Sequence, residues 1–338
     1  MRVLVTGATG FIGFHVARFL TEKGIRVRVL VRGQSDTAAL KALDIELVNG
    51  DIRDFESVCR ALDGCRQLYH IAADYRLWVP NPATMYSVNV DGTRNCMEAA
   101  LKLGIEKVIY TSSVGVLAAS SNGKVSNEES RVSLREMVGH YKRSKFMAEN
   151  EVRSFIGKGV PAVIVCPSTP IGPQDRKPTP TGKTIVDFLN GRIPAFLDTG
   201  LNFVDVGDVA AGHWLASERG VTGQSYILGN RNITLREFFE SLARITGSRP
   251  PKIRLPYLPV LLAACIDETI STLLTHRPPR IPLTGVRMAR KYMYFDASRA
   301  VRELHMPQSP VEHAMEQAIL WFKENGFVKS SRGKACKS

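Results

Sequence analysis

The chain has 338 residues, 44% of them hydrophobic and 23% charged. That is enough for about two domains and a full core, with no need of disulfide or metal staples. Lys and Arg number 45 against 32 Asp and Glu, a net charge of +13, which favours anionic partners such as a phosphorylated cofactor or an acidic lipid surface. The cations are spread out, denser after residue 245 and in the tail, and no zinc-finger or RNP-type motif accompanies them. Nucleic acid is therefore not an expected partner. Cys59, Cys65, Cys96, Cys166, Cys265 and Cys336 form no CxxC pair, which argues against a metal centre or a secreted disulfide framework and suits a reducing cytosol. No signal peptide precedes Val3-Leu4-Val5, and no run of about 20 apolar residues occurs. A spanning helix is not expected, and a cytoplasmic location is.

In chain order, short apolar runs at 3–6, 27–31, 46–48, 67–70, 108–111 and 162–166 read as strands buried on both faces. Helical patterns at 11–23, 55–62, 84–103 and 141–156 lie between them, and glycines follow several of these helices. Strand and crossover helix repeated this often predict an α/β fold with a doubly wound parallel Rossmann sheet, because each crossover must be right-handed. After Pro167 prolines and glycines cluster through Gly182, which predicts a smaller, loop-rich C-terminal lobe over the carboxyl edge of the sheet. The expected division is 1–166 for the nucleotide domain, 167–328 for a substrate lobe whose segments can return to the sheet, and 329–338 for a basic tail.

Thr6-Gly7-Ala8-Thr9-Gly10-Phe11-Ile12-Gly13 sits where the first strand gives way to the first helix. Gly7 permits a tight turn, and Gly10 lets backbone N–H groups approach a pyrophosphate. Gly13 allows close helix–sheet packing, while the helix N-terminus at Phe11 and Ile12 favours negative charge. Later in the chain, Tyr141-Lys142-Arg143-Ser144-Lys145 puts a phenol and an ammonium at i and i+4 on one helix face. A nearby ammonium, together with the positive ring of an oxidised dinucleotide bound beside it, is expected to lower the phenol's pKa and so help proton transfer.

The spacing G-x-x-G-x-x-G, with Tyr141 and Lys145 about thirty residues after Thr111-Ser112-Ser113, resembles the extended short-chain dehydrogenase/reductase family, also described as NAD-dependent epimerases and dehydratases. The resemblance covers nearly the whole chain. It implies Ser113, Tyr141 and Lys145 as the catalytic set, with Ser112 the weaker serine. In this scheme Tyr141 transfers the proton, Lys145 tunes it and holds the nicotinamide ribose, and Ser113 bonds the substrate oxygen. It also implies cofactor contacts at Asp51 and Ile52, at Ala72 and Ala73, at Asn89, at Thr111, and at Pro167 and Ser168. A member that prefers NAD carries an acid at the end of the second strand. Here Val31-Arg32 stands there, and a guanidinium grips a 2′-phosphate, so NADP is the expected cofactor with NAD as the alternative.

The nucleotide-sugar members' substrate clamps are missing: Thr169 stands for their Asn, Leu201 for an Arg, and Gly285-Val286-Arg287-Met288 for a late Arg motif, with Arg287 or Lys183 open as replacements. The chain is more similar to dihydroflavonol-reductase-like members and to hopanoid-associated sugar epimerases. That likeness is carried by His70-Ile71-Ala72-Ala73-Asp74-Tyr75-Arg76-Leu77-Trp78 and by Trp321 through Phe327. Tyr75, Trp78 and Tyr86 either line a substrate pocket or pack the lobe. The apolar stretch 258–274 is too short to span a bilayer. It is either a buried lobe helix or, given its basic flanks, an interfacial one serving an apolar or lipid-linked substrate. Three activities remain open: a ketone–alcohol oxidoreductase, an epimerase that retains its nucleotide, and an inactive nucleotide-binding regulator. The resemblance also implies a homodimer through helices 84–103 and 141–156. No metal is expected.

Overall fold

Alternate residues of each central strand serve opposite faces of one sheet, which fixes the layers on either side. A computed structural model of the chain describes residues 1–119, 125–130 and 132–329. The first half runs β1 (Arg2–Thr6), α1 (Phe11–Glu22), β2 (Arg26–Val31), β3 (Ile45–Asn49), α2 (Phe55–Leu62) and β4 (Gln67–His70). It continues through α3 (Pro82–Tyr86), α4 (Gly92–Lys102), β5 (Lys107–Thr111), α5 (Gly139–Gly157) and β6 (Ala162–Pro167). In β1, Leu4 points to one face while Val3 and Val5 point to the other, and Val108, Ile109 and Tyr110 of β5 alternate in the same way. Each fully buried Val or Leu of this kind contributes about 1.5–3 kcal/mol. Helices α2, α4 and α5 cover the first face and α1 the second.

The second half supplies β7 (Thr169–Ile171), α6 (Pro180–Leu189), β8 (Ala195–Leu197), β9 (Gly200–Asp205), α7 (Val206–Arg219), β10 (Ser225–Leu228) and β11 (Arg231–Thr234). Then come α8 (Leu235–Thr246), β12 (Ile253–Leu255), α9 (Tyr257–Ile270), α10 (Leu283–Met288) and α11 (Val311–Glu324). The main sheet has seven strands in the order β10-β6-β5-β4-β1-β2-β3, all parallel. β10 and α7 thus return to the first half: β10 pairs along β6, and α7 packs on α1. The rest forms the lobe, with a three-stranded sheet β11-β9-β7, a β12-β8 pair and a separate aromatic core where Phe203 stacks on Phe238 at 4.7 Å. Trp321, Phe322 and Phe327 belong to that core.

The structure departs from the sequence expectations in two elements. β3, expected to be buried on both faces, is the edge strand of the sheet, so Glu46, Leu47 and Asn49 are exposed. The helix expected over 84–103 is present and runs through a π segment at Ser87–Asp91, a feature that often marks a functional site. The stretch 258–274, expected to be too short for a membrane, lies within one continuous helix of 19 residues from Tyr257 to Thr275, long and apolar enough to cross one by length and composition. Nor is it a buried lobe helix, because only 11% of its apolar window is covered. Cys336 and tail residues 330–338 lie outside the described residues.

Candidate active site

The strand order reverses between β1 and β4, and in such sheets ligands bind beyond the carboxyl ends at that point. Thr6 ties the two strand ends together. Its hydroxyl lies 2.8 Å from His70 Nδ1 and accepts the N–H groups of Ile71 and Ala72 at 3.2 Å each. Gly7 follows with φ +79°, and a Cβ there would lie 2.6 Å from the Ala72 nitrogen. A Cβ on Gly13 would lie 2.2 Å from the Gly7 carbonyl. The close packing at Gly13 is therefore against the glycine turn itself. Gly10 caps α1 without any side-chain hydrogen bond, so the N–H groups of Phe11, Ile12 and Gly13 are left to the loop, a cradle for an anion.

The remaining expected cofactor residues are distributed around this cradle. Arg32 is exposed just past β2 and makes no salt bridge among the described residues. Asp51 is engaged with Arg53 at 2.7 Å, and this partner, with more distant help from Arg32, holds its carboxyl below the usual range. Ile52 is buried and fills the space beside Gly92. Ala72 and Ala73 are half-buried at the end of β4. Asn89, in the π turn, accepts the Asp74 N–H at 2.7 Å and donates to the Asp74 carbonyl and to Ser144 Oγ, both at 2.9 Å. Its side chain staples the loop after β4 to α5. The Ser168 hydroxyl past β6 is buried with no partner among the described residues, an unused polar group at a position the resemblance gives to the cofactor. Uncapped helix, glycine turn and orphan hydroxyl together fit a dinucleotide.

At the end of β5 the two serines differ. Ser112 is buried and donates to Glu149 at 2.5 Å, and Glu149 in turn pairs with Arg153 at 2.7 Å. Ser113 is half-exposed, and its oxygen accepts the Gly115 N–H at 3.0 Å. That leaves its proton available, and it is the polar neighbour of the Tyr141 phenol. Tyr141 lies in the first turn of α5. Lys145, one turn later, donates to the Thr111 carbonyl at 2.6 Å and the Tyr110 hydroxyl at 3.0 Å, and lies 4.5 Å over the Tyr110 ring. Burial pulls the Lys145 pKa down to about 8.

In the chain by itself burial pushes the Tyr141 pKa up, and the opposing pull comes from Ser113. Thr111 offers only its backbone toward this cluster, because its hydroxyl lies 2.9 Å from His213 Nε2 in the core.

Tyr75 is on the rim, where its hydroxyl donates to the Lys177 carbonyl at 3.4 Å; Trp78 and Thr169 are half-buried. Tyr86 lies 3.2 Å from His140 Nδ1, beside Tyr141 in sequence. Lys183 is paired with Asp187 on α6 and Arg287 is exposed on α10. One feature escaped sequence reading. The segment from Gly172 to Thr179 straps over the cradle, with the His15 Nε2–H donating to the Pro173 carbonyl at 2.8 Å. Burial drops the His15 pKa to about 4, so the ring is neutral. Gln174, Arg176 and Lys177 of the strap line a small cavity with Thr9 and Gly10. The adjacent cations inside a Pro/Gly-rich loop were the available signal.

A parallel seven-stranded sheet with a glycine turn and an uncapped helix at its switch point defines a Rossmann-type dinucleotide enzyme. Residues 3–229 match the model of the NAD dependent epimerase/dehydratase family, and the chain belongs to that family. A protein of Synechocystis sp., provisionally named a dihydroflavonol 4-reductase, is 44% identical over 96% of both chains. Sterol demethylase protein B of Methylococcus capsulatus is 35% identical over 97% of this chain and all of its own. The crystal structure of the protein gox2253 superposes with a TM-score of 0.87 at 46% identity, covering 97% of this chain and 99% of that one. The chain is thus an NAD(P)-dependent enzyme.

Proposed function

We propose that the enzyme interconverts a ketone and a secondary alcohol on an apolar substrate, using NADP(H). The observation that carries this is the Ser113 hydroxyl beside the Tyr141 phenol at the open end of β5, across the switch point from the glycine cradle. A dinucleotide held by its pyrophosphate at that cradle would supply or accept the hydride. Ser113 donates its proton to the substrate oxygen and holds it next to Tyr141. Tyr141, kept protonated by burial, passes its proton to that oxygen as the carbon takes the hydride, and recovers a proton from solvent. Lys145 anchors α5 to the end of β5 through two hydrogen bonds, and its remaining N–H would be the one to hold the ribose of a bound dinucleotide.

Three features support an apolar substrate. Leu201 and Thr169 stand where nucleotide-sugar members carry clamps. Lys183 is occupied by Asp187. The two relatives are named for dihydroflavonol reduction and sterol demethylation. Arg32, unpaired among the described residues, supports NADP over NAD. A second reading, an epimerase that keeps its nucleotide, draws on the strap held over the cradle by His15. Net NADPH consumption with a ketone supports the reductase, whereas purified enzyme carrying nucleotide and consuming none supports the epimerase.

Tyr141→Phe is expected to lower kcat/KM by about 10²–10⁴ while nucleotide affinity, measured by fluorescence titration, is unchanged; a fully active variant removes Tyr141 from proton transfer. Arg32→Asp is expected to reverse the preference toward NAD in the ratio of kcat/KM values. An unaltered ratio means that Arg32 is not the clamp.

A further inference from the structure

The helix from Tyr257 to Thr275 has a mean hydropathy of 1.5 over its apolar window. Leu258, Leu262, Ile266, Ile270 and Leu274 follow one another at steps of four, one face of a helix about 28 Å long. They are 73%, 64%, 55%, 43% and 75% exposed, and Leu273 beside them is 69% exposed. A contiguous bare stripe of aliphatic side chains on a folded chain marks an interaction surface.

The opposite side is fastened to the lobe. Ala264 and Ser271 are buried, and α9 packs on α10. The Asp267 carboxylate accepts the Ile281 N–H and the Glu268 carboxylate the Leu283 N–H, both at 2.8 Å. Crossing a bilayer would break these contacts and carry both acids into hydrocarbon. Lying in the interfacial plane keeps them.

Charge decides what covers the stripe. From Arg249 to Lys291 the sequence holds eight Lys and Arg against only Asp267 and Glu268. All eight cations are exposed, and the two acids are already bonded to backbone. At the foot of α9 lies an open groove of about 410 Å³, whose lining includes Arg290, Tyr257 and Tyr292, with Arg254 paired to Asp198 at 2.6 Å. A second copy of the chain would set one cationic rim against another. Leu and Ile without exposed aromatics are also not the composition of a protein–protein hot spot. An anionic bilayer matches both the apolar face and its rim.

The same hairpin reaches the catalytic cleft. Thr284 of α10 presses on Gly139, where a Cβ would lie 2.6 Å from its methyl carbon, and Gly139 opens α5 two residues before Tyr141. Gly285 lies against Leu77 in the loop after β4.

We propose that the α9–α10 hairpin docks the chain peripherally on an anionic bilayer surface, with α9 in the interfacial plane and the cleft beside it. The docking stands whether or not the reductase reading holds; only the corollary, that an apolar substrate enters from the bilayer, rests on that reading.

The test is flotation of the full chain with vesicles of phosphatidylcholine alone and of phosphatidylcholine mixed in equal parts with phosphatidylglycerol. Binding is expected only to the mixed vesicles and weakens as salt rises. Leu262→Glu with Ile266→Glu is expected to abolish it at unchanged Tm, since both side chains already face solvent. Arg277→Glu with Arg280→Glu is expected to weaken it by about fivefold or more for each cation. Wild-type chain that stays unbound, binds both vesicles equally, or binds undiminished after the Leu262 and Ile266 changes overturns the proposal. So does a dimer in solution that those two changes dissociate while vesicles capture nothing. Vesicle binding without turnover of any ketone would reject the reductase reading and leave the docking intact.

Discussion

At the scale of single residues, adjacency in sequence conceals opposite roles. Ser112 and Ser113 are neighbours of the same type at one strand end, yet Ser112 is consumed by Glu149, 37 residues away, while Ser113 faces the phenol. Ser112→Ala leaves a buried carboxylate short of a donor, which costs about 1–3 kcal/mol of stability. Its turnover is expected to stay near that of the wild type. Ser113→Ala removes the group that holds the substrate oxygen and is expected to cost about 10²–10³ in kcat/KM, with the smaller loss of Tm. Thermal melts and initial rates on the two variants decide this, and the reverse pattern would exchange the two roles. Lys145 shows the same principle. The i, i+4 spacing put it one turn from Tyr141, but the acceptors that hold it belong to β5.

At the scale of elements, the glycine motif works because two backbones touch. α1 can start where it does only if nothing projects from Gly13 toward the Gly7 carbonyl, 2.2 Å from where a Cβ would be. Gly13→Ala must push the helix off the turn, and is expected to cost about 1–3 kcal/mol as an overpacked contact together with measurable nucleotide affinity. Gly10→Ala meets the Gly7 carbonyl at 3.3 Å. It is expected to keep its Tm and weaken only nucleotide binding, since its methyl projects where the anion approaches. Melting curves with and without nucleotide separate the two cases. The π turn at Ser87–Asp91 is a second element-scale device. It lies within the helix expected over 84–103 and carries Asn89, whose amide joins the loop after β4 to α5.

At the scale of the whole molecule, the sheet is completed by residues from beyond Pro167. β10 protects the edge of β6, and Val209, Leu215 and Tyr226 share a core with Val16 and Leu20 of α1. A fragment of residues 1–166 would expose that edge and that face. It is expected to show no cooperative melt by circular dichroism, in contrast to the full chain; a cooperative transition would make the first half an independent unit.

The strands, the crossover helices and the glycine turn were legible in the amino-acid order because each follows from local periodicity or from a backbone geometry only glycine permits. The 55–62 helix and the 67–70 strand were read to the residue. What the order of residues could not decide was which partner each polar or apolar group meets across long separations. Glu149 reaches Ser112, the strap closes over the cradle, and α9 lies bare instead of buried. Apolar periodicity states that a helix has a greasy face. Only the packing of the remaining chain decides whether protein covers it.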